Sequence, residues 1–331
     1  MKLFLLHAHY VNSEIQLVCK TVNGTTKCLT VSDWLPYVYA KDSAYRVKEV
    51  LNKNIASMTE VKRVQFVGFT NERQQRYIKI RVKRWPLYLK QGVLDVYEDK
   101  VKPHTKFLCE SGLRSGAWLS FDGVGSSGKL KQFTPLLEDT AVPQLLVMAW
   151  DLETSGLDPH VNGIYQVCCV FYSTHTPLTP DERSCVICSQ PTDSLKNTRI
   201  LQATSEIDLL IKFRDIIQQH DPDILTGYNT NSFDQKFLEH RIKHHNLMDS
   251  YTGLGRGAPA TFKQQILESA ALGANQQTLW LLPGRMTLDL FMFCKVNFPT
   301  LPNFKLDTAS ELFVGDKKVS NNMYYQQSLV H

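Results

Sequence analysis

The chain has 331 residues. It contains no uninterrupted apolar run of the roughly 18 residues that a membrane-spanning helix needs, so no span is predicted. Its start, Met1-Lys-Leu-Phe-Leu-Leu6, is too short an apolar stretch for a secretory signal and passes directly into polar alternation. A first strand is predicted there instead. The eight cysteines, at 19, 28, 109, 168, 169, 185, 188 and 294, lack the clustered spacing of a disulfide framework. Reduced thiols in an intracellular protein are predicted. No internal repeat is present. Charge of one sign is also scarce: the net charge is +5, which alone discriminates little.

What is present is the composition of an ordinary soluble protein, 43% hydrophobic and 21% charged, with length enough for two domains. The distribution of charge is more telling than its sum. Between Val61 and Lys90 there are nine Lys or Arg and one acid, Glu72. Phe66, Phe69, Tyr77, Trp85 and Tyr88 lie among them. Basic charge interleaved with aromatics suits a nucleic-acid backbone, and Arg76, Lys79, Arg81, Lys83 and Arg84 are the candidate contacts. The same alternation, Tyr77-Ile-Lys-Ile-Arg-Val-Lys83, also fits a solvated edge strand.

Residues 1–140 read as short strands with few helices. Leu3–His9 and Glu14–Lys20 alternate, and the Asn-Gly turn within Thr21–Thr25 lets Thr26–Val31 pair back. Ser43–Met58 is predicted helical, with Val47, Val50, Leu51 and Ile55 on one face. Strands are expected at Lys62–Phe69 and Arg76–Lys83. The Gly/Ser/Lys-rich stretch Gly123–Leu137, followed by Pro143, marks the expected boundary. Residues 141–331 then turn to α/β patterning. Strands are predicted at Leu145–Asp151, Ile164–Tyr172 and Asp223–Thr226. Helices are predicted from Ser205, its cap, to His220, with Ile207, Leu210, Ile211 and Ile217 as its stripe, and over Phe233–His244. Tyr251–Arg285 is expected to form loops and a hairpin, and apolar periodicity returns over Met286–Phe298.

One constellation carries chemistry. The apolar run Leu145-Leu-Val-Met-Ala-Trp150 delivers Asp151 and, two residues on, Glu153. Strand alternation points both carboxylates the same way. Two carboxylates aimed at one point call for a cation, and oxygen ligands suit Mg²⁺ or Mn²⁺. Asp234, at the start of a later helix, supplies a third. Such a set has the makings of a two-metal phosphodiester cleavage site.

These residues carry a resemblance to the proofreading 3′→5′ exonuclease domain of family B DNA polymerases, the group of delta-type, archaeal and large-DNA-virus replicases. Asp151-Leu-Glu153 matches the first exonuclease motif, and Ile164-Tyr-Gln-Val-Cys168 the strand after it. Asp221-Pro-Asp-Ile-Leu-Thr-Gly-Tyr-Asn229 with Ser232-Phe-Asp234 matches the second. Gly284-Arg285 with Asp289 resembles the next landmark. Phe304-Lys-Leu-Asp-Thr-Ala-Ser310, with Phe313-Val-Gly315 and Lys317-Lys318, resembles the one after that. Glu110-Ser-Gly-Leu-Arg-Ser-Gly-Ala-Trp118 resembles a landmark upstream of the exonuclease. The resemblance implies an RNase H-like α/β (α+β) domain with a mixed five-stranded sheet over 141–331, behind a smaller β-rich, template-binding domain over 1–140.

It further implies that Asp151, Glu153 and Asp234 hold two Mg²⁺ or Mn²⁺ ions, that Glu153 orients a water, and that Leu152, Asn229 and Phe233 contact a single-stranded 3′ end. DNA and a downstream polymerase region would be the partners, in a nucleus or at a viral replication site. The family's third motif, Tyr-x-x-x-Asp, has no counterpart. No acid follows Asp316, so Tyr324 and Tyr325 cannot serve, and the polymerase palm motifs are absent from these residues. A catalytically silent DNA-binding or scaffold module is the alternative reading.

Three further motifs read as non-functional. Gly123-Val-Gly-Ser-Ser-Gly128-Lys129 starts like a P-loop, but Leu130 stands where a Mg²⁺-binding hydroxyl is required. Cys185-Val-Ile-Cys188 has zinc spacing without four ligands, even with His175 added, and is expected to be a reduced surface loop. Asn23-Gly-Thr25 reads as a turn rather than a glycosylation site.

Overall fold

A computed structural model describes residues 1–64, 73–87, 94–122, 133–269 and 273–316. Phe66, Phe69, Glu72, Tyr88, Lys90, the P-loop-like stretch at 123–130, Lys317, Lys318, Tyr324 and Tyr325 lie outside the described residues. Contacts divide the chain into two compact units. One comprises Met1–Gln144 with Gly255–Ala258; the other comprises Leu145–Leu254 with the chain from Pro259 onward.

In the first unit, β1 (Lys2–Val11), β2 (Glu14–Thr21) and β3 (Thr26–Val31) form an antiparallel meander. Gly24 turns the β2–β3 hairpin at φ +76°, a conformation that L side chains rarely adopt. β4 (Tyr37–Ala40), α1 (Ala44–Leu51), β5 (Ile55–Val64), β6 (Gln74–Val82) and β7 (Val96–Tyr97) follow, then α2 (Pro103–Ser111), β8 (Ala117–Phe121) and β9 (Phe133–Leu136). They complete two sheets, in the orders β3-β2-β1-β8-β9 and β5-β6-β4-β7.

Three sequence expectations change here. The helix predicted over Ser43–Met58 ends at Leu51, because Asn52 leaves the helical region at φ 36°, ψ −110°. The Asn54 side chain then takes Arg84 N at 2.8 Å, and Ile55 onward pairs with β6. The Gly/Ser-rich boundary stretch includes β9, which pairs with β8. And β6 is no edge strand: it lies between β5 and β4.

The second unit begins with β10 (Leu146–Thr154) and β11 (Ile164–Ser173). Next come α3 (Pro180–Arg183), β12 (Ser184–Cys188), β13 (Arg199–Gln202), α4 (Glu206–His220), β14 (Ile224–Gly227), α5 (Asp234–His244) and α6 (Met248–Thr252). β15 (Thr261–Ser269), β16 (Gly273–Leu281), β17 (Met286–Asp289), α7 (Leu290–Asn297) and α8 (Leu306–Phe313) end it. The main sheet is mixed, in the order β13-β12-β11-β10-β14-β17. β10 runs antiparallel to β11 and parallel to β14. Among the described residues six strands stand where five were expected. One edge is β17, from the stretch where apolar periodicity returns, which pairs parallel with β14 through Ile224–Gly227. The β15–β16 hairpin stands apart as its own antiparallel pair.

The core of this unit sits between the sheet, α4, α5 and the hairpin. Met148, Trp150 and Leu152 face inward from β10, and Trp150 meets Phe213 at 5.4 Å and Trp280 at 6.1 Å. On α4 the buried face is Leu209, Leu210, Phe213, Ile216 and Ile217, while Ile207, expected on the stripe, is exposed. Ser205 caps this helix by accepting from Asp208 N at 3.2 Å. Asp208 reaches back to Thr204 N rather than to the cap itself. Cys185 and Cys188 lie buried in strand β12, not on a surface loop. Among the described residues no helix is long and apolar enough to cross a membrane.

Candidate functional site

Strand β10 explains the two leading carboxylates. Met148, Trp150 and Leu152 are buried on one face, which leaves Asp151 and Glu153 together on the other. The register shifts between Glu153 and Thr154, a bulge where the strand ends beside the site. Asp234 arrives from the first turn of α5 and is 3% exposed. Its Oδ1 accepts the Leu152 N–H at 3.1 Å, which stitches the helix start to β10 between the two acids.

All six residues named from sequence, Asp151, Leu152, Glu153, Asn229, Phe233 and Asp234, line one cavity of about 480 Å³. Ala149, Trp150, Cys168, Val170, Gly227, Tyr228 and Leu306 complete its wall. Leu152, expected as a substrate contact, lines the cavity. Its side chain belongs to the core, and its main-chain N–H fixes Asp234. Phe233 is half-buried and meets Phe237 at 5.7 Å.

Electrostatics mark the same place. Burial, and then the nearby Asp151 charge, push the Asp234 carboxyl up to about 7. Burial also raises the Cys168 thiol, and Asp151 and Glu153 add to the shift. Among the described residues no group of three His, Cys, Asp or Glu side chains stands ready to hold a metal ion. The donor set nonetheless suits a hard divalent cation. It offers carboxylate oxygens, and a bound cation would offset both the burial and the Asp151 repulsion that raise Asp234.

The loop between β14 and α5 is braced from several directions. Gly227 passes so close to β10 that a Cβ there would lie 2.7 Å from the Trp150 carbonyl oxygen and 2.5 Å from Thr230 Cγ2. Asn229 is left-handed, at φ 62°. Asp289, 6% exposed at the end of β17, accepts Asn229 N at 2.8 Å and Asn231 N at 3.0 Å. From the hairpin, Thr278 N donates to Asn231 O at 2.8 Å and Trp280 N to the Gln235 side chain at 2.5 Å.

The acidic motif upstream of this loop is structural. Asp223 is fully buried and exchanges hydrogen bonds with Leu146, while its carbonyl accepts from Met286. Asp221 pairs with Arg285 at 2.6 Å. Arg285 also donates to the carbonyls of Leu254 and Pro222. Sequence reasoning marked Asp289 and Arg285 as landmarks without a task. Their backbone bonds join segments far apart in sequence, which no local pattern encodes.

Next to the cavity, and sharing Tyr228 and Leu306 with it, lies an apolar groove of about 370 Å³ between α7 and α8. Phe293, Phe298, Phe313 and Val314 line it and are exposed.

The basic residues of the first unit divide. Lys79 and Arg81 turn inward, where Glu110 accepts from both, at 2.7 and 2.6 Å, and from Trp34 Nε1 at 2.7 Å. These cations hold Glu110 below the usual carboxylate range against the opposing effect of burial. Lys79 and Arg81, expected as nucleic-acid contacts, are half-buried and share one carboxylate between two cations. Arg76, Lys83 and Arg84 remain exposed, and Arg76 pairs with Glu60 at 3.5 Å.

The family described as DNA polymerase family B, exonuclease domain, matches residues 94–309. A DNA polymerase catalytic subunit of Elephantid herpesvirus 1 is 25% identical over 92% of this chain and 32% of its own length. DNA polymerase 120R of Invertebrate iridescent virus 3 is 25% identical over 65% of this chain and 22% of its own. The DNA polymerase delta catalytic subunit of Schizosaccharomyces pombe is 25% identical over 61% and 18%. The chain thus spans a third or less of these curated relatives. The solved family B DNA polymerase of Pyrobaculum calidifontis shares its fold, with a TM-score of 0.67 at 21% identity, over 98% of this chain and 42% of that one.

Proposed function

The chain belongs to the exonuclease-domain family of the family B DNA polymerases, and from that premise we propose that it carries most of a 3′→5′ exonuclease site acting on the single-stranded 3′ end of DNA. The observation that carries this reading is the convergence of Asp151, Glu153 and Asp234 on one cavity that also presents Asn229 and Phe233. The three carboxylates are the residues that would hold Mg²⁺ or Mn²⁺. When bound, such ions supply an activated water and charge stabilisation at the departing 3′ oxygen. Glu153 orients the water by accepting its hydrogen bond. Asn229 hydrogen-bonds the terminal nucleotide. Phe233 packs on a splayed base, a contact that tolerates any base. Fraying the end from a duplex favours mispaired termini, since they have less pairing to lose.

The whole protein, in this reading, is a DNA-directed DNA polymerase of replication at a nuclear or viral replication site, and a downstream polypeptide is its partner. The exposed groove between α7 and α8, open beside the cavity, supports such a partner, because an aromatic surface of this kind is ordinarily covered. The first unit would bind template strand through Arg76, Lys83 and Arg84. A second reading is a silent DNA-binding or scaffold module, supported by the lack of a Tyr-x-x-x-Asp counterpart in these residues.

The test uses 5′-labelled single-stranded DNA with Mn²⁺, beside the Asp151→Ala/Glu153→Ala double variant. Stepwise shortening from the 3′ end by the wild type alone is expected, rising when the downstream polypeptide is added. Equal digestion by the double variant would assign the activity elsewhere. Retained binding with no shortening, even with the downstream polypeptide, would favour the silent module.

A further inference from the structure

We propose that Asp289 is a positioning residue for this site: its buried carboxylate sets the loop that aims Asn229 into the cavity. The proposal rests on the exonuclease reading for its consequence, though not for its geometry. Asp289 does not line the cavity. Its Oδ1 accepts Asn229 N at 2.8 Å and Phe291 N at 2.9 Å, and its Oδ2 accepts Asn231 N at 3.0 Å. One carboxylate therefore does two things. It caps α7 at Phe291, and it gathers two main-chain N–H groups of the β14–α5 loop around a single negative charge.

The position follows from the sheet. Asp289 is the parallel register partner of Gly227, so β17 brings the carboxylate level with the end of β14 just as the loop departs. Asn229 sits there in the left-handed region, at φ 62°. Left-handed backbone in a residue other than Gly costs free energy and persists where its surroundings hold it; here Ser232 N and Phe233 N donate to the Asn229 carbonyl, and Asp289 holds its N–H. Two residues past the second anchored amide comes Phe233, and then Asp234. The loop's opposite side is held by Thr278 and Gln235. The hairpin bonds fix where the loop lies, and Asp289 fixes which way its first residue turns.

A hydroxyl or an amide cannot replace this. Serine caps helices well, but its short side chain offers one oxygen and cannot span both amides. Asparagine keeps one acceptor and turns an NH₂ group toward a second N–H, where donor meets donor.

The experiment compares wild type, Asp289→Ser, Asp289→Asn, Asn229→Ala and the Asp289→Ser/Asn229→Ala double variant as full chains. Amide hydrogen exchange in EDTA reports the loop directly. The affinity for labelled single-stranded DNA, by anisotropy in EDTA, and 3′ shortening with Mn²⁺ report its consequence. Exchange at Asn229 and Asn231 is expected to rise about tenfold or more in both Asp289 variants, while Leu152 in β10 keeps its protection. Shortening, or DNA affinity where shortening is absent, is expected to fall about tenfold in Asp289→Ser. The double variant should be no worse than Asn229→Ala, because Asp289 acts through Asn229.

A wild type without nuclease activity would count against the exonuclease reading alone, since the exchange and affinity arms still decide the role of Asp289. Unchanged exchange at Asn229 in a folded Asp289→Ser would overturn the proposal. So would an Asp289→Ser loss that adds in full to that of Asn229→Ala.

Discussion

Replacing Gly227 with alanine isolates the closest approach in the site. A Cβ at this position meets the Trp150 carbonyl oxygen at 2.7 Å and Thr230 Cγ2 at 2.5 Å. The Thr230 methyl belongs to a buried side chain and can turn aside only at a cost to its packing. The carbonyl oxygen is main chain of β10 and cannot rotate aside. Ordinary contact begins near 3.4 Å, so β14 and β10 must part by about 0.7 Å at this level. Overpacking of this kind costs about 1–3 kcal/mol. For a unit of 150–250 residues each kcal/mol lowers Tm by about 2–4 °C, so a fall of about 2–12 °C is expected. The displacement also separates Asp151 on β10 from Asn229 and Asp234 beyond β14. A misplacement approaching 1 Å costs about 10²-fold in a rate that depends on geometry.

The internal control is Gly253→Ala. Gly253 has right-handed helical backbone and its nearest neighbour, the Ser250 carbonyl oxygen, is 4.0 Å away. That change should be neutral or stabilise by up to about 1 kcal/mol, since it only removes freedom from the unfolded chain. Calorimetry of both variants, with a 3′ shortening assay alongside, reads the contrast. Equal Tm values for Gly227→Ala and wild type would refute the reasoning, because they would mean that β10 and β14 are not held at the spacing described.

Other expectations follow from the charges. Asp234, raised to about 7 in the metal-free protein, opposes folding increasingly as pH climbs from the unfolded carboxylate value to about 7, and in full above that, because the unfolded carboxylate ionises far more readily. Asp234→Asn in EDTA should therefore raise Tm most at pH 8, less at pH 5, and not at all near pH 3; a decrease at pH 8 would contradict it. Glu206 accepts from Ile164 N, Arg241 and His245, and these bonds hold it below its usual range. Its contribution is present above the unfolded carboxylate value and is lost as pH falls through the lower folded one. Glu206→Gln leaves the Arg241 guanidinium, 9% exposed, short of its partner. A loss of about 3 kcal/mol at pH 7 is expected by urea denaturation, shrinking toward pH 3. In the first unit, Lys83→Ala with Arg84→Ala should weaken single-strand binding and flatten its salt dependence. An unchanged salt slope would place the contact elsewhere.

The sequence by itself determined what strand alternation and helix capping can encode. The run Leu145–Trp150 fixed β10 and which face Asp151 and Glu153 share. Ser205 fixed the start of α4, and the position of Asp234 at the head of α5 was equally legible, because each depends on residues within one or two turns. The family pattern in Asp151-Leu-Glu153 and Asn229-Thr-Asn-Ser-Phe-Asp234 tied these pieces to one chemistry.

Tertiary structure decided what alternation leaves open. Residues 286–289 became a strand because β14 offered a free edge, and that pairing alone carried Asp289 to the loop it anchors. Lys79 and Arg81 looked like surface cations until α2 brought Glu110 over them. Local patterns report how a residue relates to its neighbours along the chain. Where a buried charge finds its partner depends on segments that meet only when the sheet has formed.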